Sequence, residues 1–234
     1  MCKPSKHLTK QSCMPLVFYY LSLSPPARSV DLVIHALGLS AEYRVVDTLN
    51  KEQFKPDFLK LNPIHTIPLI IDDGFILWES HAIMAYLVSK YAKDDCLYPK
   101  DQKKRAIVDQ RMHYHNDVFY LLRSIIRKIL YGNLRVLTDS HIQQVREVQI
   151  NLEKLLEGNK YMGGDSLTLA DYSFITLVDI LEAYLPMENK FPLIKAWEAR
   201  CKTSMKNFKH VNEKGAADIV AKIRDKMSSM ENLF

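Results

Sequence analysis

The chain has 234 residues, of which 47% are hydrophobic and 25% are charged. This composition is ordinary for a globular protein and excludes a disordered chain, a collagen-like fibre and a coiled-coil rod. No apolar run reaches the roughly 18 residues of a transmembrane helix, and no glycine-rich phosphate-binding motif occurs. The net charge is +5, and the basic excess lies at the two ends of the chain. We interpret both ends as solvated surface, and we predict neither a nucleic-acid nor a membrane partner.

The four cysteines Cys2, Cys13, Cys96 and Cys201 form no C-x-x-C pair and no cluster with histidine. This scatter argues against a zinc site or a redox pair, so we predict no bound metal. It suits a reducing compartment. Residues 1–12 lack the apolar core of a secretory signal. We therefore expect a flexible extension over residues 1–14 and a cytoplasmic location.

The first part of the folded chain alternates between strands and a helix. A helix is predicted to begin after Ser24, a favoured N-cap that precedes two prolines suited to a first turn. Gly38 is typical of the end of that helix. Because the helix connects two strands, those strands are expected to be parallel. They are predicted at residues 16–21 and 42–46.

An antiparallel unit follows. Asp73 and Gly74 are a strong hairpin signal between two apolar runs. The hairpin strands are predicted at residues 67–71 and 75–78, after a short helix or turn at 54–61, and a further helix begins at Glu79. Together these elements predict a small four-stranded mixed sheet with helices on its faces, over residues 15–92.

Helical periodicity replaces strand alternation from residue 101 onward. We predict a polar linker over residues 93–100 and an all-helical domain over residues 101–234. Its helices are expected at residues 104–130, 141–156, 169–185, 192–201 and 216–227.

Three features of the first domain are candidates for binding a small ligand. Ser24 is either aimed at a bound anion from a helix N-terminus or is a plain N-cap. Pro68 is either cis, which would turn the Ile67 backbone outward to pair with an extended peptide, or trans in an edge strand. Ser80 could hold a carboxylate and Glu79 an ammonium, unless the two merely cap a helix.

Two other features of the sequence, a capping box and the histidines, are not interpreted as ligand-binding motifs. Thr168 and Asp171 form a capping box, in which Asp171 accepts a hydrogen bond from the Thr168 backbone. We interpret it as a folding signal. The eight histidines show no metal-binding pattern. His113 and His115, two residues apart, cannot share one helix face.

Five stretches in this order resemble the cytosolic glutathione transferases, and the resemblance covers about residues 15–208. Among these enzymes, the chain is most similar to the insect delta and epsilon classes, which use a serine near the end of the first strand. The stretches are FYY and SPPARS at 18–20 and 24–29, LNPIHTIP at 61–68, LWESHAI at 77–83, LYPKD at 97–101 and LTLAD at 167–171.

The resemblance implies a thioredoxin-like α/β N-terminal domain, an all-α C-terminal domain, a homodimer, and glutathione as co-substrate. Ser24 matches the catalytic serine, whose hydroxyl stabilises the glutathione thiolate. The implied glutathione contacts are Gln53, His65, Thr66, Ile67, Pro68, Glu79, Ser80, His81 and His115.

The chain departs from the family pattern at three of these positions. Gln53 stands where a second histidine is common, and His81 stands where an arginine is common after the Glu-Ser pair. His115 stands where many relatives have an acid. We predict weaker or more pH-dependent glutathione binding as a result.

The co-substrate pocket is the least defined part of the expected site. Its candidate residues are apolar or aromatic, and the alternative for most of them is a place in the core. They are Leu21, Leu23, Pro26, Tyr114, Phe119, Tyr120 and Phe208.

The predicted function is conjugation of glutathione to hydrophobic electrophiles, in detoxification of compounds such as insecticides or plant products. The alternative is a non-catalytic protein that binds or sequesters an apolar ligand on the same fold. A third hypothesis is a transferase-like module of an elongation-factor subunit. It is disfavoured because no further domain is expected beyond about residue 228. Turnover, and its loss when Ser24 is replaced, separates the first two.

Overall fold

The computed structural model of the chain describes residues 15–187 and 189–228. The extension expected over residues 1–14 lies outside the described residues. The described strands are β1 (Leu16–Tyr20), β2 (Ala41–Val45), β3 (Leu69–Asp72) and β4 (Phe75–Trp78). The described α-helices are α1 (Pro25–Leu37), α2 (Pro56–Leu61), α3 (Ser80–Tyr91), α4 (Gln102–Leu130), α5 (Asp139–Leu155), α6 (Leu169–Phe174), α7 (Val178–Tyr184), α8 (Pro192–Ser204) and α9 (Lys214–Ser228).

The strands form one mixed sheet in the order β2-β1-β3-β4. β1 and β2 are parallel, whereas β3 is antiparallel to both β1 and β4. The predicted mixed sheet is confirmed. The turn between β3 and β4 has positive φ angles at Asp73 (51°) and Gly74 (82°), as a type I′ hairpin turn requires.

Helix α1 packs between the sheet and the helical part of the chain. It ends at Gly38 in the left-handed conformation, whose N–H donates to the carbonyls of Ile34 and His35. The α1 side chains Val30, Val33 and Ile34 are completely buried. Because α1 contacts both α3 and α6, the loop that precedes it lies at the junction of the two parts.

Helix α4 is 29 residues long and forms the wall of the helical part that faces this junction. Its N-cap Asp101 accepts a hydrogen bond from the Lys104 N–H. No helix within residues 15–187 and 189–228 is long and apolar enough to cross a membrane. The α4 residues buried against the core are Val108, Met112, His115, Val118, Leu122, Ile125 and Ile129.

The expected single helix over residues 169–185 is wrong in detail, because it is divided. A 3-10 turn at Ile175–Leu177 separates α6 from α7. Here the Ser173 hydroxyl donates to the Leu169 carbonyl, and the Thr176 hydroxyl donates to the Ser173 carbonyl. Such side-chain bonds compete with the regular helical pattern and tighten the turn locally. A π-helical turn at Lys209–Glu213, which we did not predict, leads directly into α9.

Candidate active site

An open cavity of about 870 Å³ lies between the α/β part and the helical part. The loop after β1, the segment after β2, the segment before β3 and the start of α3 form one wall. Helix α4, the two residues that follow it and one residue of α9 form the other. The expected site residues that line it are Leu21, Leu23, Ser24, Pro26, Gln53, His65, Thr66, Ile67, Pro68, Glu79, Ser80, His115, Phe119 and Tyr120.

Ser24 is the N-cap of α1, yet its hydroxyl makes no capping hydrogen bond. An N-cap oxygen ordinarily accepts from the N–H of the second or third helical residue, and the second is Pro26, which has no N–H. The backbone fixes the residue instead: its N–H donates to the Leu21 carbonyl at 2.9 Å, and its carbonyl accepts from the Arg28 N–H at 3.0 Å. The Ser24 hydroxyl is therefore held at a helix N-terminus, facing the cavity and free to donate.

The segment before β3 presents its backbone to the cavity. The Ile67–Pro68 peptide bond is cis, which resolves the two alternatives left open by the sequence. The fully buried Asn62 holds the preceding residues: its side-chain amide donates to the carbonyl and hydroxyl of Thr66, both at 3.0 Å, and its side-chain oxygen accepts from the Ile64 N–H. The Ile67 backbone thus lies on a preorganised wall.

The start of α3 combines a carboxylate with a buried hydroxyl. Glu79 is exposed and has a φ of 75°. This conformation is unfavourable for any residue other than glycine, and such strained residues are common at functional sites. Ser80, only 8% exposed, is the first residue of α3. The unpaired N–H groups of a helix N-terminus favour an anion at this place.

His65 and Gln53 lie on the other side of the segment that contains Ile67. His65 has a φ of 49°, and its exposed ring packs on Phe54 with a centroid distance of 4.7 Å. The Gln53 amide N–H donates to the Thr48 carbonyl at 3.5 Å, while its buried oxygen has no partner among the described residues. Both residues line the cavity, and no hydrogen bond joins their side chains.

His81 and His115 meet in a buried recess behind Ser80. Their ring centroids are 4.9 Å apart at 64°, and the ring of His115 also packs edge-on against Phe174 at 5.2 Å. Burial, and the nearby His113, lower the pKa of His81 to about 4. Burial also lowers the pKa of His115 well below 6.5, as does His81, and only the Ser173 backbone opposes this. Both imidazoles are therefore neutral at pH 7.

Three of the expected site residues do not line the cavity. His81 lies behind His115. The hydroxyl of Tyr114 accepts from Asn151 at 3.2 Å, so this side chain points toward α5. Phe208 is 4% exposed and belongs to the hydrophobic core.

The sequence reasoning missed a group of basic residues that line one end of the cavity. On α4 these are Arg123, Arg127 and Lys128, and Lys51 lies on the opposite wall. The signal was present, because Arg123 and Arg127 are four residues apart and so share a helix face with the aromatic side chain of Tyr120. Groups of three or more His, Cys, Asp or Glu able to hold a metal do not occur among the described residues.

Comparison with known proteins agrees with this arrangement. The model of the glutathione S-transferase N-terminal domain matches residues 14–89, and that of the C-terminal domain matches residues 111–204. Glutathione S-transferase D7 of Anopheles gambiae is 36% identical over 221 residues, which cover 92% of this chain and 99% of the relative.

Solved structures show the same fold. An epsilon-class glutathione S-transferase from the housefly Musca domestica is 42% identical with a TM-score of 0.87, covering 90% of this chain and 98% of that one. A glutathione transferase homologue from Drosophila mojavensis with bound glutathione is 39% identical with a TM-score of 0.86, covering 91% of this chain and 97% of that one. A thioredoxin-like domain followed by a helical domain defines this class of enzyme. The chain belongs to the glutathione S-transferase family.

Proposed function

We propose that this protein conjugates glutathione to hydrophobic electrophiles and that the Ser24 hydroxyl stabilises the glutathione thiolate. The observation that carries the proposal is the Ser24 hydroxyl itself. It lines the cavity from the N-terminus of α1 and makes no capping hydrogen bond. A hydroxyl so placed can donate to a sulfur anion, and the partial positive charge of the helix N-terminus acts in the same direction.

The thiolate is the reactive form. A free thiol has a pKa near 8.5, so only a few per cent is ionised at pH 7. Each unit by which the site lowers that pKa corresponds to about 1.4 kcal/mol of preferential binding of the thiolate. Ser24 needs to act only as a hydrogen-bond donor. The thiolate sulfur then forms the new bond to the electrophilic carbon.

The polar wall of the cavity suits the three parts of glutathione. The γ-glutamyl carboxylate is placed at Ser80 and the α3 N-terminus, and its ammonium at Glu79. The cysteinyl part pairs with the Ile67 backbone beside Thr66 and Pro68. The glycyl carboxylate lies toward His65 and Gln53. His115, with His81 behind it, closes the γ-glutamyl end with neutral imidazole nitrogens that can accept from the ammonium.

An apolar surface to which both walls of the cavity contribute fits a hydrophobic co-substrate. It is formed by residues of the β1–α1 loop and of α4, and the binding of an apolar body there follows from the area that it removes from water. These residues are Leu21, Leu23, Pro26, Phe119 and Tyr120. Tyr114 and Phe208 do not line the cavity and are not part of this surface.

Family membership supports three further parts of the proposal. The cellular role is detoxification of foreign compounds, the protein acts as a homodimer, and its location is the cytoplasm. The glutathione site needs no metal ion, because thiolate stabilisation by a hydroxyl supplies the activation. Neither a nucleic acid nor a membrane is part of the proposed function.

A second candidate function is sequestration of an apolar ligand without catalysis. The buried imidazoles of His81 and His115 favour it, because they replace the charged pair expected from relatives and have unpaired nitrogens. In this case the apolar surface of the cavity binds a ligand, and glutathione is bound weakly.

Conjugation kinetics with 1-chloro-2,4-dinitrobenzene test the proposal. We expect Ser24→Ala to lower kcat/KM by about ten-fold or more, which corresponds to at least about 1.4 kcal/mol of transition-state stabilisation. Ser22→Ala is the matched control, because Ser22 is exposed and lies outside the main cavity. Equal activity of the wild type and Ser24→Ala would contradict the catalytic role. Binding of an apolar dye without any turnover would favour the second function.

A further inference from the structure

The charges around the cavity are unevenly distributed. Four cationic side chains line it, Lys51, Arg123, Arg127 and Lys128, and Glu79 is the single acid among the lining residues. Within the described part of the chain, the guanidinium groups of Arg123 and Arg127 form no ion pair and no hydrogen bond. Unpaired guanidinium groups on a cavity wall are suited to bind a carboxylate, sulfate or phosphate.

These cations lie away from the γ-glutamyl recess. Along α4, Arg123 is eight residues beyond His115 and Arg127 is twelve residues beyond it. At a rise of 1.5 Å per residue these spacings are about 12 and 18 Å. Between His115 and Arg123, α4 carries Phe119 and Tyr120, which also line the cavity. The cationic end is thus separated from Ser80 by an apolar stretch.

The loop that follows β2 also lines the cavity, through Thr48, Leu49 and Lys51. Burial raises the pKa of Tyr131, the Arg127 guanidinium lowers it and the Asp47 carboxylate raises it. Because both charges act on the same hydroxyl, the end of α4 lies near this loop. The Asp47 carboxylate already accepts hydrogen bonds from Leu49 and Asn50. These donors are neutral, and among the described residues Asp47 forms no ion pair with Arg123 or Arg127, so both guanidinium groups are available to a bound anion.

The wall near the arginines is apolar, which restricts the kind of anion. Ile126, Leu130 and Ile219 line this end of the cavity, and Leu23 lies on the side of Ser24. A small hydrophilic anion would leave these side chains uncovered. An amphiphile with an apolar body and one anionic group would cover them and pair with the arginines.

We propose that Arg123 and Arg127 determine co-substrate specificity by binding an anionic group on an otherwise hydrophobic electrophile. The preferred co-substrate is an amphiphile that carries a carboxylate or similar anion at the end remote from its reacting carbon. This inference rests on the proposed function, because the reacting carbon must face the glutathione sulfur at Ser24. Glutathione itself also carries carboxylates, so the test must separate the two sources of the anion.

The test compares ethacrynic acid with its methyl ester at saturating glutathione. Both react by the same addition: the thiolate sulfur bonds to the terminal methylene carbon, the electron pair moves to the ketone, and the resulting enolate takes a proton from water. The two compounds differ in one negative charge. The readout is the ratio of kcat/KM for the acid to kcat/KM for the ester, together with KM for glutathione.

We expect the double variant Arg123→Gln with Arg127→Gln to lower that ratio by about ten-fold, the size of one lost charge-assisted interaction. Lysine at both positions should restore part of the ratio, because the charge returns without the fork geometry. The control removes two exposed cations outside the cavity, Lys103→Gln with Arg224→Gln. This control removes the same net charge as the double glutamine variant in the cavity. It should leave the ratio unchanged if only cations inside the cavity bind the anionic group.

Two outcomes would overturn the proposal. An equal loss for acid and ester would mean that the arginines only shape the pocket. A change confined to KM for glutathione would mean that they hold a glutathione carboxylate.

A separate binding measurement covers a failure of the proposed function. If no electrophile is turned over, displacement of the uncharged dye N-phenyl-1-naphthylamine by decanoate and by decanol is compared. Stronger displacement by decanoate, abolished in the double glutamine variant, would support the anion site without catalysis. Equal displacement by the two compounds would contradict it.

Discussion

The imidazoles of His81 and His115 lie in a recess where their buried nitrogens have no hydrogen-bond partner among the described residues. These are Nε2 of His81 and both ring nitrogens of His115. Unpaired buried polar atoms cost free energy, commonly about 1 to 3 kcal/mol each. Such a cost is retained where the groups serve binding, and the recess adjoins the proposed γ-glutamyl position at Ser80.

His115→Phe is expected to keep or raise the free energy of unfolding at pH 7 and to weaken glutathione binding. A phenyl ring fits between Phe119 and Phe174, which already pack on the imidazole, and it removes two unpaired nitrogens. Denaturant unfolding and calorimetric titration with glutathione measure the two effects. His113→Gln, at an exposed position of the same helix, is the control. A large loss of stability with unchanged glutathione affinity would contradict this account.

The same pKa values predict how stability changes with pH. In the unfolded chain a histidine takes up a proton near pH 6.5, whereas His81 does so near pH 4 and His115 also below its usual value. The unfolded state therefore binds more protons below pH 6.5. The free energy of unfolding should fall between about pH 6.5 and 4, by roughly 2 to 3 kcal/mol from His81. Unfolding curves across this range test it, and the fall should be smaller in His115→Phe.

Glutathione affinity should be insensitive to these two imidazoles between about pH 5.5 and 8, since both are neutral there. This differs from the pH dependence expected from the sequence, where the histidines could be assumed to titrate normally. The two positions lie 34 residues apart in the sequence. Burial in the folded chain is the main reason that neither is protonated, and a nearby histidine adds to it in each case. A Kd that changes several-fold across that range would restore the earlier expectation.

At the start of α6, one buried carboxylate joins three segments of the helical domain. Asp171 accepts from the backbone N–H groups of Met162 and Thr168, from the Thr168 hydroxyl, and from the indole N–H of Trp197. The capping box predicted from the sequence is confirmed, but the bonds to Met162 and Trp197 join residues 9 and 26 positions away. Local spacing could not indicate those contacts.

Asp171→Ala should lower the free energy of unfolding by about 3 kcal/mol or more, because it leaves several buried N–H groups without an acceptor. Thr138→Ala removes the cap of α5, which is exposed, and should cost only about 1 kcal/mol. Denaturant unfolding of both variants gives the comparison. Equal losses would mean that Asp171 is an ordinary cap.

Regular elements with clear boundary residues were predictable, and irregular ones were not. β4 matches the predicted residues 75–78, because the turn residues and the alternation are local signals. The break between α6 and α7 depends on buried hydroxyls of Ser173 and Thr176 that bond within the helix. The antiparallel pairing of β1 with β3 is a long-range choice that no local pattern specified.

Across the whole molecule, Arg28 connects the α/β part with the helical part. Its buried guanidinium donates to the Ser22 carbonyl, the Thr176 carbonyl and the side-chain oxygen of Asn212. Burial lowers its pKa to about 10, against the opposing effect of Asp179, so it remains charged at pH 7. This bonding fixes the loop that carries Ser24 relative to the helical wall.

Gly215 of α9 lies against the same loop, and a Cβ at this position would overlap the Ser22 carbonyl oxygen. Gly215→Ala should therefore displace the Ser22–Ser24 loop and lower both stability and kcat/KM. A loss of stability would point to the close contact, because replacing glycine by alanine inside a helix otherwise stabilises a protein by up to about 1 kcal/mol. Lys214→Ala, at the exposed neighbouring position, is the control. Increased stability with unchanged activity would contradict the close contact.

The polar wall of the site was more predictable than the rest. Ser24, Ile67 and Ser80 follow motif positions in one domain, so a local resemblance located them. The arginines of α4 and the burial of Phe208 depend on how the two domains pack. That packing is a property of the whole chain and has no local signature.

The central claim is that Ser24 stabilises a thiolate, and the most direct measurement is the pKa of glutathione bound to the enzyme. Ultraviolet difference absorbance of the thiolate, followed against pH, gives this value for the wild type and for Ser24→Ala. We expect a pKa below the free value of about 8.5 in the wild type and a value at least about one unit higher in Ser24→Ala. The same low pKa in both proteins would contradict the claim.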